Sequence, residues 1–282
     1  MKRFLFPFLI LMGALVACTP NTGKQSSGFN DPVFDRVTKT RVIRAGYIPY
    51  PPSFIVDPNT KEMSGISHDI LMKAAENLGW EVEFVEELGW GSMIEAVDSG
   101  RVDIVATSIW PTAARGKKAD FLTPTFYSNV KAYVRDGDIR FDSNIKLVNS
   151  SDVKIAVMDG EMAGIISDAD FPNAQQVSLT QISGVSELLL EIATKKSDIT
   201  FTEPSIALEY MAKNPGTIRE VQGVGALRLF PNSFLVKKGS FNFQNTMNIA
   251  IEEIINSGQA NRIIDQYEAY SGSFGRTKSP AE

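Results

Sequence analysis

The apolar positions of the chain change period along its length, and each change marks an element. Residues 41–46, RVIRAG, read as a strand. Ile66, Ile70, Ala74 and Leu78, with Leu71 and Ala75 beside them, then recur at helical spacing until Gly79 ends the run. VEFV at 82–85 predicts a strand, Trp90 to Val97 a second helical stripe ending before Gly100, and VDIVA at 102–106 a buried strand. Strand, helix, strand, helix, strand predicts a parallel sheet flanked by helices.

The alternation then repeats. VKIAVM at 153–158 reads as a strand, 161–168 as a short helix and AQQVSL at 174–179 as an edge strand. SELLLEIATKK at 186–196 reads as an amphipathic helix and DITFT at 198–202 as a strand, with Pro204 opening the next helix. Between the two units lies KAYVRDGDIRFDSN; after the second come an extended segment, ALRLFPNSFLVKK, and helical patterns at 241–257 and 259–270. If these late helices pack back on the first unit, the chain crosses between two lobes twice.

Composition removes some functional classes. With 282 residues, 43% of them apolar and 22% charged, the chain can bury a sizeable core in one large or two modest domains. A formal charge of −5 with scattered Lys and Arg offers no face for nucleic acid. One histidine, His68 beside Asp69, and one cysteine leave no Ser-His or Cys-His pair and no metal-ligand spacing, so neither cofactor nor metal is implied.

The N-terminus adds a compartment. Lys2 and Arg3 precede an apolar stretch, FLFPFLILMGALVA, too short to span a membrane comfortably, which ends at Cys18. Residues 1–17 are read as an export signal, and 18–30, polar and rich in Gly, Ser and Asn, as a flexible tether. Loss of Lys2 and Arg3 would leave 26 basic against 33 acidic residues, a mature charge of −7. Leu15-Val16-Ala17-Cys18 resembles the lipobox of bacterial lipoproteins, which implies a lipid on Cys18 after cleavage.

Five segments in order carry a further resemblance: YPPSF (50–54), EMSGISHDILMKAAENLGWEVEFVE (62–86), GWGSMIEAVDSGRVDIVATS (89–108), PTAARGKKADFLTP (111–124) and SDITFTEP (197–204). Together they resemble the amino-acid-type (family 3) extracellular solute-binding proteins of ABC importers, over residues from about 40 to 272. The resemblance implies an α/β, two-lobed periplasmic-binding-protein fold of type II. Each lobe is a small, mostly parallel sheet flanked by helices, and two hinge crossovers join them. Lobe 1 is expected at 31–132 and 226–275, lobe 2 at 133–225, and a disordered tail at 276–282. The implied function is capture of an amino acid or related amine-carboxylate by hinge closure and delivery to an ABC permease. The protein would be a monomer, held at the extracytoplasmic face of a membrane only by its lipid. The alternatives are a ligand-binding sensor domain and a cyclohexadienyl-dehydratase-like enzyme; the glycine-rich segment of those enzymes is missing here.

The same resemblance assigns site residues. Thr107, Ser108, Thr112 and Arg115 match a hydroxyl-rich run ending in an arginine that clamps the solute carboxylate, for which a planar guanidinium suits two parallel hydrogen bonds. The structural alternative for Arg115 is an ion pair with an acid such as Asp120. Trp110 departs from the pattern, and either narrows the cleft, forms a stacking wall or turns into the core. Asp198 and Glu203 have the spacing that places Glu203 against a solute amine; otherwise Glu203 complements a helix dipole. Gly160, Glu161 and Met162 stand where relatives donate backbone amides, and Glu161 either faces inward, favouring a cationic solute, or outward. Trp90, Tyr50 and Phe54 are assigned to the cavity wall, or else to the core.

Overall fold

The computed structural model describes residues 30–277. The first lobe begins with α1 (Pro32–Thr40), β1 (Val42–Tyr47) and a two-stranded hairpin of β2 (Ile55–Val56) and β3 (Met63–Ser64). There follow α2 (Ile66–Leu78), β4 (Glu81–Glu87), α3 (Met93–Asp98), β5 (Ile104–Ile109), the single turn α4 (Ala113–Gly116) and β6 (Ala119–Phe121). A long strand, β7 (Phe126–Arg135), leads into the second lobe. Its elements are a short 3-10 turn (Ile145–Val148), β8 (Lys154–Met158), α5 (Met162–Asp170), β9 (Gln175–Leu179), α6 (Ser186–Ala193), β10 (Ile199–Thr202), α7 (Pro204–Lys213) and β11 (Ile218–Glu220). A second long strand, β12 (Arg228–Lys237), returns to α8 (Phe241–Asn256), α9 (Gln259–Tyr267) and β13 (Phe274–Arg276).

The elements form for local reasons that the sequence carries. α2 buries Ile66, Ile70, Leu71, Ala74 and Ala75 and ends at Gly79, whose φ of 66° is a left-handed cap open to glycine without strain. Asp31 caps α1 by accepting from the Phe34 amide at 3.1 Å, and Pro32 fits the first turn. Gly65 has φ +119°, and a Cβ there would meet the Ser53 carbonyl at 2.6 Å. That close approach lets the Ile66 and Ser67 amides bond the Pro52 and Ser53 carbonyls, which holds the 50–54 segment against α2.

Each lobe has its own sheet. In the first, β1 lies parallel between β4 and β5, and β12 closes it antiparallel to β5 and β6. In the second, β8 lies parallel between β9 and β10, and β7 runs antiparallel to β10 and β11. Separate buried cores, one around Ile43, Phe54, Ile70 and Phe234 and another around Tyr133, Ile155 and Phe201, pack the two lobes.

The lobes are joined where β7 and β12 pair, Phe126–Val130 against Arg228–Asn232. Each strand gives one half to this junction and the other half to a lobe sheet. Arg276, assigned by sequence to a disordered tail, instead ends β13, which pairs with Phe126 at the start of β7. Its guanidinium is held by Asp265 and Glu268, 11 and 8 positions earlier, and this anchor with the distant β7 pairing overrode a polar local composition. Cys18, residues 1–29 and residues 278–282 lie outside the described residues.

Candidate functional site

In parallel α/β sheets the carboxyl ends of the strands face the binding crevice. Here β1, β5, β8 and β10 all end at the cleft between the lobes. The loop after β5 delivers Trp110 and, one turn later, Arg115; Thr112 caps that turn by accepting from the Arg115 amide at 3.2 Å. From the other lobe, the turn after β8 delivers Glu161, and the end of β10 delivers Glu203.

Among the described residues, two side-chain hydrogen bonds cross the cleft between charged or phenolic groups. The Arg115 guanidinium donates to the Glu161 carboxylate and, at 3.1 Å, to the carbonyl of Trp110. The Tyr50 hydroxyl donates to Glu203. Glu161 stands at the N-cap of α5 yet makes no side-chain bond to its own helix; it reaches across instead, with its side chain only 16% exposed. Asp120, the alternative partner for Arg115, is taken by Lys238 and the Gly239 amide.

Burial governs the charges. Removal from water raises the Glu161 carboxyl above its ordinary range even though Arg115 pulls it down. Burial likewise raises Glu203, which is 2% exposed, against the bonds from Ser128 and Tyr50 that favour its charged form. Tyr50 is pushed well above the usual phenol range by burial first and by the Glu203 charge second.

Glu203 is also wired to the lobe junction. Ser128, on β7, bonds its carboxylate, and the amide of Asn232, on β12, donates to the Ser128 hydroxyl at 2.8 Å. The Trp110 indole N–H in turn donates to Asn232 at 3.1 Å, and its ring stacks on Phe230 with centroids 4.9 Å apart. The Trp110 ring packs against the core of the second lobe and also lines the cavity.

These groups surround a cavity of about 30 Å³ lined by Tyr50, Trp90, Ser108, Trp110, Arg115, Met158, Glu161, Met162, Ala163, Val185, Leu188 and Phe201. That is room for about two waters, so side chains have to move before the lobes can shut on a larger solute. The Tyr50 and Trp90 rings meet edge to face at 5.3 Å.

Some assigned residues sit elsewhere. Phe54 is wholly buried in the lobe 1 core, stacked on Tyr47 at 5.1 Å, because the Tyr50–Phe54 bridge turns its ring away from the cleft. Thr107 is buried too, its hydroxyl exchanging two 2.8 Å bonds with the backbone of Ile48 to lock β5 beside the end of β1. Neither lines the cavity. Gly160 shapes the turn with φ +72°, and Glu203 lies behind Tyr50 instead of in the wall. His68 pairs with Asp69 at 2.7 Å and stacks on Phe84 at 5.1 Å, away from the cavity. Among the described residues no three His, Cys, Asp or Glu side chains gather as a metal ion would need.

Sequence reasoning missed Met158, Ala163, Val185, Leu188 and Phe201. A signal existed for two of them: Met158 ends β8 and Phe201 lies one residue before the end of β10, the crevice ends of parallel strands. Nothing local marked Val185 and Leu188.

A raised carboxyl makes a definite pH prediction. Below its unfolded value near 4.5, Glu203 is protonated in both states and contributes nothing. As pH rises through the window up to its higher folded value, the unfolded chain releases the proton first and stability falls. The stability of Glu203→Gln relative to wild type should therefore rise with pH from about 4.5 upward. Urea midpoints at a series of pH values measure it; a difference constant from pH 4 to 8 refutes it.

The two-lobed α/β architecture is the type II periplasmic-binding-protein fold. Residues 43–269 match the bacterial extracellular solute-binding proteins, family 3, and the chain belongs to that family. A probable amino-acid ABC transporter-binding protein of Haemophilus influenzae is 25% identical over 217 residues, 77% of this chain and 78% of that one. A probable histidine-binding protein of Campylobacter jejuni is 23% identical over 274 residues, 95% of this chain and 99% of that one. The crystal structure of an ancestral amino acid-binding protein, a precursor of cyclohexadienyl dehydratase, is similar in fold, with a TM-score of 0.70 and 24% identity. It covers 84% of this chain and 99% of that chain.

Proposed function

We propose that this solute-binding protein captures a small amine-bearing solute, an amino acid or a close relative of one, and hands it to an ABC permease. The single observation behind this reading is that charged and polar groups from opposite lobes meet in a buried cleft. Arg115 and Tyr50 come from one lobe, Glu161 and Glu203 from the other. Contacts of this kind exist only when the lobes meet, so a solute that strengthens them shifts the population toward the closed form a permease can recognise. Glu203, with Tyr50, is the pole for the amine; Trp90, Trp110 and Phe201 are the wall for the solute's body. The relatives named for amino acids and histidine support the solute class.

The chain acts as a monomer at the extracytoplasmic face, anchored through a lipid on Cys18 by the segment 18–30. It binds without catalysis. Glu161, the carboxylate in the cavity wall, is committed to Arg115, which leaves it unsuited as a general base.

A thermal-shift screen against amino acids, their amines and amides, dicarboxylates and cyclohexadienyl acids tests this, with product analysis on every hit. A solute at 100 times its Kd should add about 2.7 kcal/mol of stability. A hit recovered unchanged supports capture, and a hit that is consumed replaces it with an enzyme.

A further inference from the structure

Both terminal nitrogens of the Arg115 guanidinium are already engaged inside the protein. One of its terminal nitrogens donates to Glu161 and the other to the Trp110 carbonyl. Its side chain is 8% exposed, so a solute reaches it only through the cavity that it lines. Arg115 is also the one basic residue among those lining the cavity, and Glu161 neutralises it.

Glu161 is built for this position. Gly160, at φ +72°, turns the chain just before it, and the backbone of Glu161 is extended at φ −101° and ψ 177°. Its carboxylate thereby leaves its own helix end uncapped and projects to the opposite lobe. A solute carboxylate directed at Arg115 would arrive beside Glu161, where two like charges in a buried site repel strongly. The neutralised pair leaves Glu203, behind Tyr50, as the remaining charged pole. Tyr50, Trp90, Trp110 and Phe201 line the cavity with aromatic rings, whose faces attract cations.

We propose that Glu161 is an internal carboxylate occupying the seat of a solute carboxylate, and that it selects small amines whose carboxyl group is absent or masked. This rests on the reading of the cleft as an amine-binding site and narrows its solute class. Amines derived from amino acids by loss of the carboxyl group, and amino-acid amides, are preferred over the free amino acids.

The test is calorimetric titration of the chain with matched pairs: tyramine and tyrosine, tryptamine and tryptophan, agmatine and arginine, cadaverine and lysine, and the four corresponding amides. In wild type the amine or amide of the recognised pair should bind at least about tenfold tighter than the free acid. Glu161→Ser should free the Arg115 fork and reverse the preference by about tenfold or more. Glu161→Gln, close in size and able to stay folded, should reduce the discrimination against the acid. A wild-type protein that prefers the free acid overturns the proposal while leaving the amine site intact, as does an amine preference unchanged in both variants. Binding of no member of any pair overturns the amine-site reading and this proposal together.

Discussion

Arg115→Ala should open the cleft. Removing the cation leaves the Glu161 carboxylate buried and unpaired, which costs about 3–5 kcal/mol when one partner of a buried ion pair is deleted. Because the two residues stand on different lobes, the chain can avoid that cost by separating the lobes and hydrating Glu161. The loss should therefore fall on the closed form, with a larger radius of gyration in solution and a smaller loss of overall stability. Arg115→Ala combined with Glu161→Ala removes the stranded charge, and should recover much of the closed population. An Arg115→Ala protein with unchanged dimensions and stability within about 0.5 kcal/mol of wild type would show that the pair contributes nothing to closure.

Asp103→Ala should be the most damaging single change outside the cleft, at about 3 kcal/mol. Asp103 is fully buried just before β5 and accepts from the Arg44 amide at 2.7 Å, from the Arg44 guanidinium at 2.9 Å and from Arg36 of α1. It fastens α1, β1 and β5 at one point, and β5 carries Ser108 and Trp110 toward the cleft. Arg36 and Arg44 each keep about a third of their surface in water, so their stranded charges are hydrated in part. That holds the cost near the lower end of the range for a broken buried pair. Asp103→Asn keeps an acceptor for the Arg44 amide and should lose less. Urea denaturation measures both, and an Asp103→Ala loss under about 1 kcal/mol would contradict this role.

The sequence made the two lobes readable because their strands and helices are local patterns. β1, α2, β4, β8 and β10 all lie within a few residues of where their apolar spacing puts them. α1 escaped notice because it buries only Val33 and Val37. β7 escaped because its polar positions, among them Ser128 and Asn129, are explained by β12 and β13, about a hundred residues away or more. The same distance limited the site. Arg115 and Glu161 were each singled out, but they are 46 positions apart, and Tyr50 and Glu203 are 153 apart. No local period joins such pairs; only closure of one lobe on the other does. Phe54 and Thr107 show the converse, residue types suited to a site that the fold spends on its core.

If solute contacts close the two lobes, small-angle scattering of the chain, titrated with the solute that the screen identifies, will register it. The radius of gyration should fall as the solute saturates and stay at its lower value, with Arg115→Ala beginning larger than wild type. A solute that binds stoichiometrically while the dimensions of the chain stay fixed would contradict it.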